Sequence, residues 1–159
     1  MAENKNEAKT ISEIIHQVVK EFITYLGVKA KIDVKEEKNG YYANIKAKPY
    51  AGLLIGKRGA NLKALQYLIR LVVKKRVGHF VPLILDVSGY RMRRVNFLKK
   101  KALAVAKIVL ETKKEMALDE LTDKEVAIVS ETLSQIAGVK FYTIKGTGNK
   151  KNVIVAPQQ

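Results

Sequence analysis

The sequence predicts an α+β protein of two small domains, the first ordered helix-strand-strand-helix-helix-strand and the second helix-strand-helix-strand-strand. Three observations carry this. Thr10-Ile-Ser-Glu13 and Thr122-Asp-Lys-Glu125 are capping-box signatures ahead of apolar residues at helical spacing. Short alternating or apolar runs flank turn residues such as Asn39-Gly40. The 159 residues are 47% hydrophobic, enough for packed cores, and no Pro- or Ser-rich linker interrupts them. The expected division is a flexible N-terminus over 1–9, a first domain over 10–88 and a second over 89–157.

After Thr10, Ile11, Ile15, Val18, Phe22 and Leu26 recur at helical spacing, with Gly27 as the stop. Residues 29–35 alternate, Ala30, Ile32 and Val34 pointing inward, and read as a strand. The turn Lys38-Asn39-Gly40 returns the chain into a strand over 41–48, ended by Pro49. Pro49 suits the first turn of a short helix reaching about Ile55. A longer helix over 60–76 buries Leu62, Leu65, Ile69 and Val72, while Lys63, Arg70 and Lys74 share another side. The short apolar run 81–87 is a buried strand, and Ser88 is a cap for the helix 90–111, which turns Val95, Leu98, Ala102, Val105 and Val109 inward. A brief strand over 116–118, a helix from Thr122 to Gly138, and strands over 139–144 and 152–155 complete the second domain.

The formal net charge is +15, and residues 56–107 hold fourteen Lys or Arg against the single acid Asp86. Charge concentrated in one third of the chain suits a polyanion-binding surface, nucleic acid first and anionic lipid second. The absence of cysteine removes disulfides, thiolate nucleophiles and cysteine metal sites. The opening MAENKNEAKT has no apolar run behind it, so no secretory signal or bilayer-spanning segment is expected, and the protein should be cytoplasmic.

Within the basic third, Gly56-Lys57-Arg58-Gly59 stands directly ahead of a helix start, which already carries partial positive charge. It reads as a plain helix–helix corner or as an anion site. A P-loop fails, since the spacing is one residue short and Arg58 replaces the Ser or Thr that reaches magnesium. With the element order around it, GKRG resembles the Gly-x-x-Gly loop of a type II KH domain, in which such a loop clamps about four nucleotides of single-stranded nucleic acid. Glycines admit phosphates to the backbone, helix N–H groups donate to them, and Lys57 and Arg58 add charge. Ile45, Leu54 and Ile55 are either a floor for bases or core.

The resemblance continues through LDVSGYRMRR, residues 85–94, to the Jag/KhpB family (SpoIIIJ-associated proteins), where a KH domain precedes an R-three-H domain. It covers residues 10–157. Two departures stand out. Many members carry a further N-terminal domain and linker, for which these 159 residues are expected to leave no room. The family's Arg-x-x-x-His pair would fall at Val126 and Ser130, and no histidine follows His79, so the second domain is expected to be R-three-H-like without its signature. The resemblance implies a non-catalytic RNA chaperone or post-transcriptional regulator. Its family acts on cell division, cell length and envelope synthesis, often with a small KH-domain protein as partner.

The nucleic-acid-binding candidates are therefore Gly56, Lys57, Arg58, Gly59, Lys63, Arg70, Lys74, Arg91, Arg93 and Arg94, with single-stranded RNA as ligand and single-stranded DNA as the alternative. For Arg91, Arg93 and Arg94, a solvated helix end is an equally good reading. Lys99, Lys100 and Lys101 spread over three sides of one turn and suit a diffuse role, while Lys145, Lys150 and Lys151 edge a hairpin. His16 and His79 are isolated, and neither Glu36-Glu37 nor Asp119, Glu120 and Asp123 forms a metal-assisted nuclease site. No catalytic residue, metal or cofactor is expected. An interaction module that pairs with another KH protein is the rival reading. Membrane attachment is disfavoured by Glu13 and Glu21 on the first helix.

Overall fold

The computed structural model describes residues 2–158, without the side chains of residues 2–9 and of Asp119. The chain divides into two units, Met1–Arg91 and Met92–Gln159. Met1 and the side chains of residues 2–9, in the segment expected to be flexible, lie outside the described residues.

The first unit runs α1 (Ala2–Tyr25), β1 (Lys31–Glu37), β2 (Gly40–Lys46), α2 (Ala51–Ile55), a 3-10 turn (Lys57–Gly59), α3 (Ala60–Val77) and β3 (Leu83–Val87). Its sheet has the order β1-β2-β3, antiparallel between β1 and β2 and parallel between β2 and β3. One core joins Ile15, Val18, Val19 and Ile23 of α1 with Ala43 and Ile45 of β2. Leu62, Leu65, Ile69 and Val73 of α3 and Leu83 and Leu85 of β3 complete it. Arg76 of α3 and Glu21 of α1 pair at 2.6 Å.

Several boundaries differ from expectation. Helix α1 continues back through Thr10, because residues 2–9 are rich in the good helix formers Ala, Glu and Lys. The Thr10–Glu13 signature is therefore not its start. Its end is a Schellman motif: Gly27 at φ 70° donates to Thr24 O and Val28 N to Ile23 O. That leaves Leu26 exposed rather than in the buried stripe. The strands shift to 31–37 and 40–46, with Lys38 and Asn39 as the turn. Gly40 opens β2 at φ 137°, against Pro82, where a Cβ would overlap the Pro82 carbonyl. On α3 the fourth buried position is Val73 rather than Val72, since a 3.6-residue period advances by three or four.

The second unit holds most of α4 (Tyr90–Thr112), then β4 (Met116–Leu121), α5 (Asp123–Ser134), β5 (Val139–Lys145) and β6 (Lys151–Pro157). Its antiparallel sheet has the order β4-β6-β5. Leu98, Ala102, Val105, Ala106 and Val109 of α4 share a core with Val129 and Leu133 of α5 and Val153 and Val155 of β6. Strand β4 is longer than expected and breaks register between Leu118 and Leu121. There Glu120 takes φ 54° and donates its N–H to Asn152 Oδ1. The Thr122 box is present: Thr122 Oγ1 accepts from Glu125 N, and Glu125 Oε2 accepts from Thr122 N. Helix α5 stops at Ser134, short of Gly138.

Candidate nucleic-acid interface

The corner between α2 and α3 is built from residues that few side chains could replace. Gly56 donates its N–H to Gly52 O at 2.9 Å and leaves α2 at φ 69°. Arg58 at φ 54° and Gly59 at φ 81° are left-handed as well, so the chain reverses within four residues. Arg58 holds this conformation despite its Cβ, which L residues other than glycine rarely do. The glycines also admit neighbours. A Cβ on Gly56 would collide with the Asn61 amide, whose Nδ2 donates to Leu53 O at 2.8 Å and so ties α2 to the start of α3. A Cβ on Gly59 would lie 2.9 Å from the ring of Tyr90.

Lys57 and Arg58 are exposed at this bend, and the first turn of α3 holds no acid. The 18-residue helix therefore presents an uncompensated positive end beside two cations. Farther along α3, Lys63, Gln66, Arg70 and Lys74 follow at helical spacing, Lys63 and Lys74 exposed and Arg70 half-buried.

This line of α3 faces the outer edge of β3. Arg70 Nε donates to Leu83 O at 2.6 Å. Gln66 Oε1 accepts from Leu85 N at 2.9 Å and from Arg91 Nη2 at 2.8 Å. Arg91 Nε donates to Leu85 O at 2.8 Å. Arg91 is positioned by Asp86, the one acid of the basic third, which is only 2% exposed. Its Oδ1 accepts from Val87 N and Arg91 N, at 2.8 and 3.3 Å, and its Oδ2 from the Tyr42 hydroxyl at 2.7 Å. Burial first, and then the bond to Asp86, push the Tyr42 phenol up to about 12. Asp86 thus receives the α4 amide expected to go to Ser88. Ser88 instead takes φ 50° and turns its hydroxyl to Ile45 O.

Of the sequence candidates, Gly56, Lys57, Arg58, Gly59, Lys63, Arg70, Lys74 and Arg91 lie in the first unit, while Arg93 and Arg94 lie in the second. Arg94 is engaged there: Nε pairs with Glu125 Oε1 at 2.8 Å, and its guanidinium lies 5.6 Å from the Phe97 ring centroid. Burial of Glu125 works to raise its pKa, but bonds from Thr122 N–H and Arg94 outweigh it and hold the carboxyl below the ordinary range. Ile45 and Leu54 are fully buried core residues, not a floor for bases, and Ile55 packs beside them. In the second unit a cavity of about 450 Å³ at the β5–β6 turn is lined by Asp123, Lys145, Lys150 and Lys151 among others, with Lys151 paired to Asp123 at 2.9 Å. Among the described residues no group of three His, Asp or Glu is placed to hold a metal ion. None of their helices is long and apolar enough to cross a membrane.

Residues 12–82 match the family model described as KhpA/KhpB, KH domain. The RNA-binding protein KhpB of Bacillus subtilis is 32% identical over 130 residues, 80% of this chain and 62% of that protein. The chain belongs to the Jag/KhpB family. The RNA-binding protein KhpB of Clostridium symbiosum is 33% identical over 108 residues, 68% of this chain and 48% of its own length. That of Lactiplantibacillus plantarum is 31% identical over 156 residues, 98% of this chain and 46% of its own length. The chain thus spans about half to three-fifths of these curated relatives. The match places GKRG inside the family's KH domain.

Asn61, Gln66, Tyr90 and the bonding role of Asp86 escaped sequence reasoning. Only Asp86 carried a signal: a lone acid inside the apolar run Leu-Ile-Leu-Asp-Val is costly to bury unless it accepts hydrogen bonds.

Proposed function

We propose that this chain binds single-stranded RNA along GKRG and the polar side of α3, with no catalytic step. The observation that carries the reading is the positive-φ bend at Gly56–Gly59, which exposes Lys57 and Arg58 at an acid-free helix start. Such a bend brings phosphates against main-chain N–H groups and cations together, without reference to base identity. The names of the three relatives, each an RNA-binding protein, support it. Within this reading the protein works in the cytoplasm as an RNA chaperone or post-transcriptional regulator affecting cell division, cell length and envelope synthesis. The second unit is an R-three-H-like domain in which Val126 and Ser130 replace the signature pair.

Replacing Lys57 and Arg58 together by Asp tests it. The circular dichroism should stay unchanged while RNA affinity falls sharply, and the slope of log affinity against log salt should drop by about 1.4, at about 0.7 per lost phosphate contact. Unchanged affinity removes the site.

A second reading is favoured by Tyr67, Leu68 and Leu71, exposed together on α3. These suit pairing with a small KH-domain protein. An apolar interface of that kind keeps its strength as salt rises, and light scattering after size exclusion shows whether the chain pairs with itself.

A further inference from the structure

Strand β3 ends its sheet, so one side of it has no neighbouring strand. On that side Leu83 O, Leu85 N and Leu85 O are taken up by Arg70, Gln66 and Arg91. These main-chain groups are already engaged, and the side chains that engage them stand in front of them.

Their remaining capacity is of one kind. The Gln66 oxygen accepts two N–H groups at once, from Leu85 and Arg91, which fixes the orientation of its amide and leaves the NH2 end to donate. Arg91 is exposed, and beyond its Nε and one Nη2 hydrogen its guanidinium offers only donors. Arg70 has likewise only donors beyond its Nε. At Gln66, Arg70 and Arg91 the wall formed by α3, β3 and the start of α4 therefore presents hydrogen-bond donors.

Bases differ in what they offer such a wall. Guanine presents two adjacent acceptors at N7 and O6, and cytosine presents two at N3 and O2. Adenine sets its N6 donor beside an acceptor on either edge, and uracil places N3–H between its carbonyls. Building on the RNA-binding reading, we propose that Gln66 and Arg91 make the groove select guanine or cytosine over adenine or uracil at the nucleotide facing them. Gln66 lies about 10 Å along α3 from Gly59 at 1.5 Å per residue, roughly one to two nucleotides beyond phosphates held at the bend.

Four labelled heptamers of uridine, carrying G, C, A or U at the centre, test this with the full chain by fluorescence anisotropy. A lone preferred base sets its own register, so the G and C oligomers should bind at least about fivefold more tightly than the A and U ones, the lower end expected for one bidentate pair. Gln66→Glu keeps the oxygen that serves Leu85 and Arg91 but turns the outward donor into an acceptor. The added charge weakens all four alike and cancels from their ratios, while the A oligomer, with its N6 donor, should gain on G and C. Equal binding of all four, still lost on replacing Lys57 and Arg58 by Asp, overturns the selectivity and leaves the RNA reading standing. Failure of every oligomer to bind overturns both. A Gln66→Glu variant that weakens all four equally overturns the assignment to Gln66.

Discussion

Replacing Asp86 by Ala should destabilise the first unit by about 3 kcal/mol. The carboxylate accepts from Tyr42, Val87 N and Arg91 N while almost wholly out of solvent. A hydrogen bond to a charged group contributes about 1.5–3 kcal/mol, and loss of a side-chain acceptor at a helix start about 1 kcal/mol. Release of a buried charge offsets part of that sum. The Tyr42 phenol registers the same bond: burial first, and then the bond to Asp86, push it up to about 12, which is a contribution to stability. Because the folded value is raised, that contribution is complete below pH 10 and is lost as pH rises through 12. Urea unfolding followed by circular dichroism, on Asp86→Ala, Tyr42→Phe and the double variant, checks the magnitude. The two changes should fail to add by about 1 kcal/mol or more, since each removes the same bond. Arg91 should lose its place as well, weakening RNA binding without any change at GKRG. A loss under about 1 kcal/mol from Asp86→Ala, or additivity within about 0.5 kcal/mol, would refute the reasoning.

Two further predictions concern local geometry and acid stability. Gly59→Ala should cost about 1–3 kcal/mol through its φ of 81° and the Tyr90 ring, whereas Gly52→Ala, with open space around it inside α2, should stabilise by about 0.5–1 kcal/mol; thermal melts of the pair separate backbone strain from mere loss of glycine. Glu125 has a folded pKa below its ordinary value, so its contribution is present above about pH 4.5 and is lost as pH falls through the folded value; α5 amides should then lose protection relative to their intrinsic exchange rate in acid, and Glu125→Gln should flatten that dependence.

How far the sequence foretells this molecule depends on the range of the interaction. The order of elements was legible, because apolar spacing and the Thr122 box act within a few residues. The bend at GKRG was legible too, since paired glycines ahead of a helix start mark a sharp turn. The start of α1 was not, since good helix formers compete with a cap signature and nothing local arbitrates. Val73 in place of Val72 is a question of helical phase, decided by which turn meets the sheet. Asn61, Gln66 and Tyr90 matter through bonds or contacts to residues 8, 19 and 31 positions away, and such partners leave no trace in spacing. Position alone leaves Arg94 between a ligand contact and a solvated helix end; its partner Glu125 lies 31 residues on.

The occupied flank of β3 also bears on how the folded protein meets its own kind. An unpaired strand is a template on which another chain can crystallise into a shared sheet, the first step toward fibrils. Here that template is filled by Gln66, Arg70 and Arg91, and the opposite border, β1, carries the alternating charges of Lys31, Asp33, Lys35 and Glu37. Both borders of this three-stranded sheet thus carry features that discourage a fourth strand.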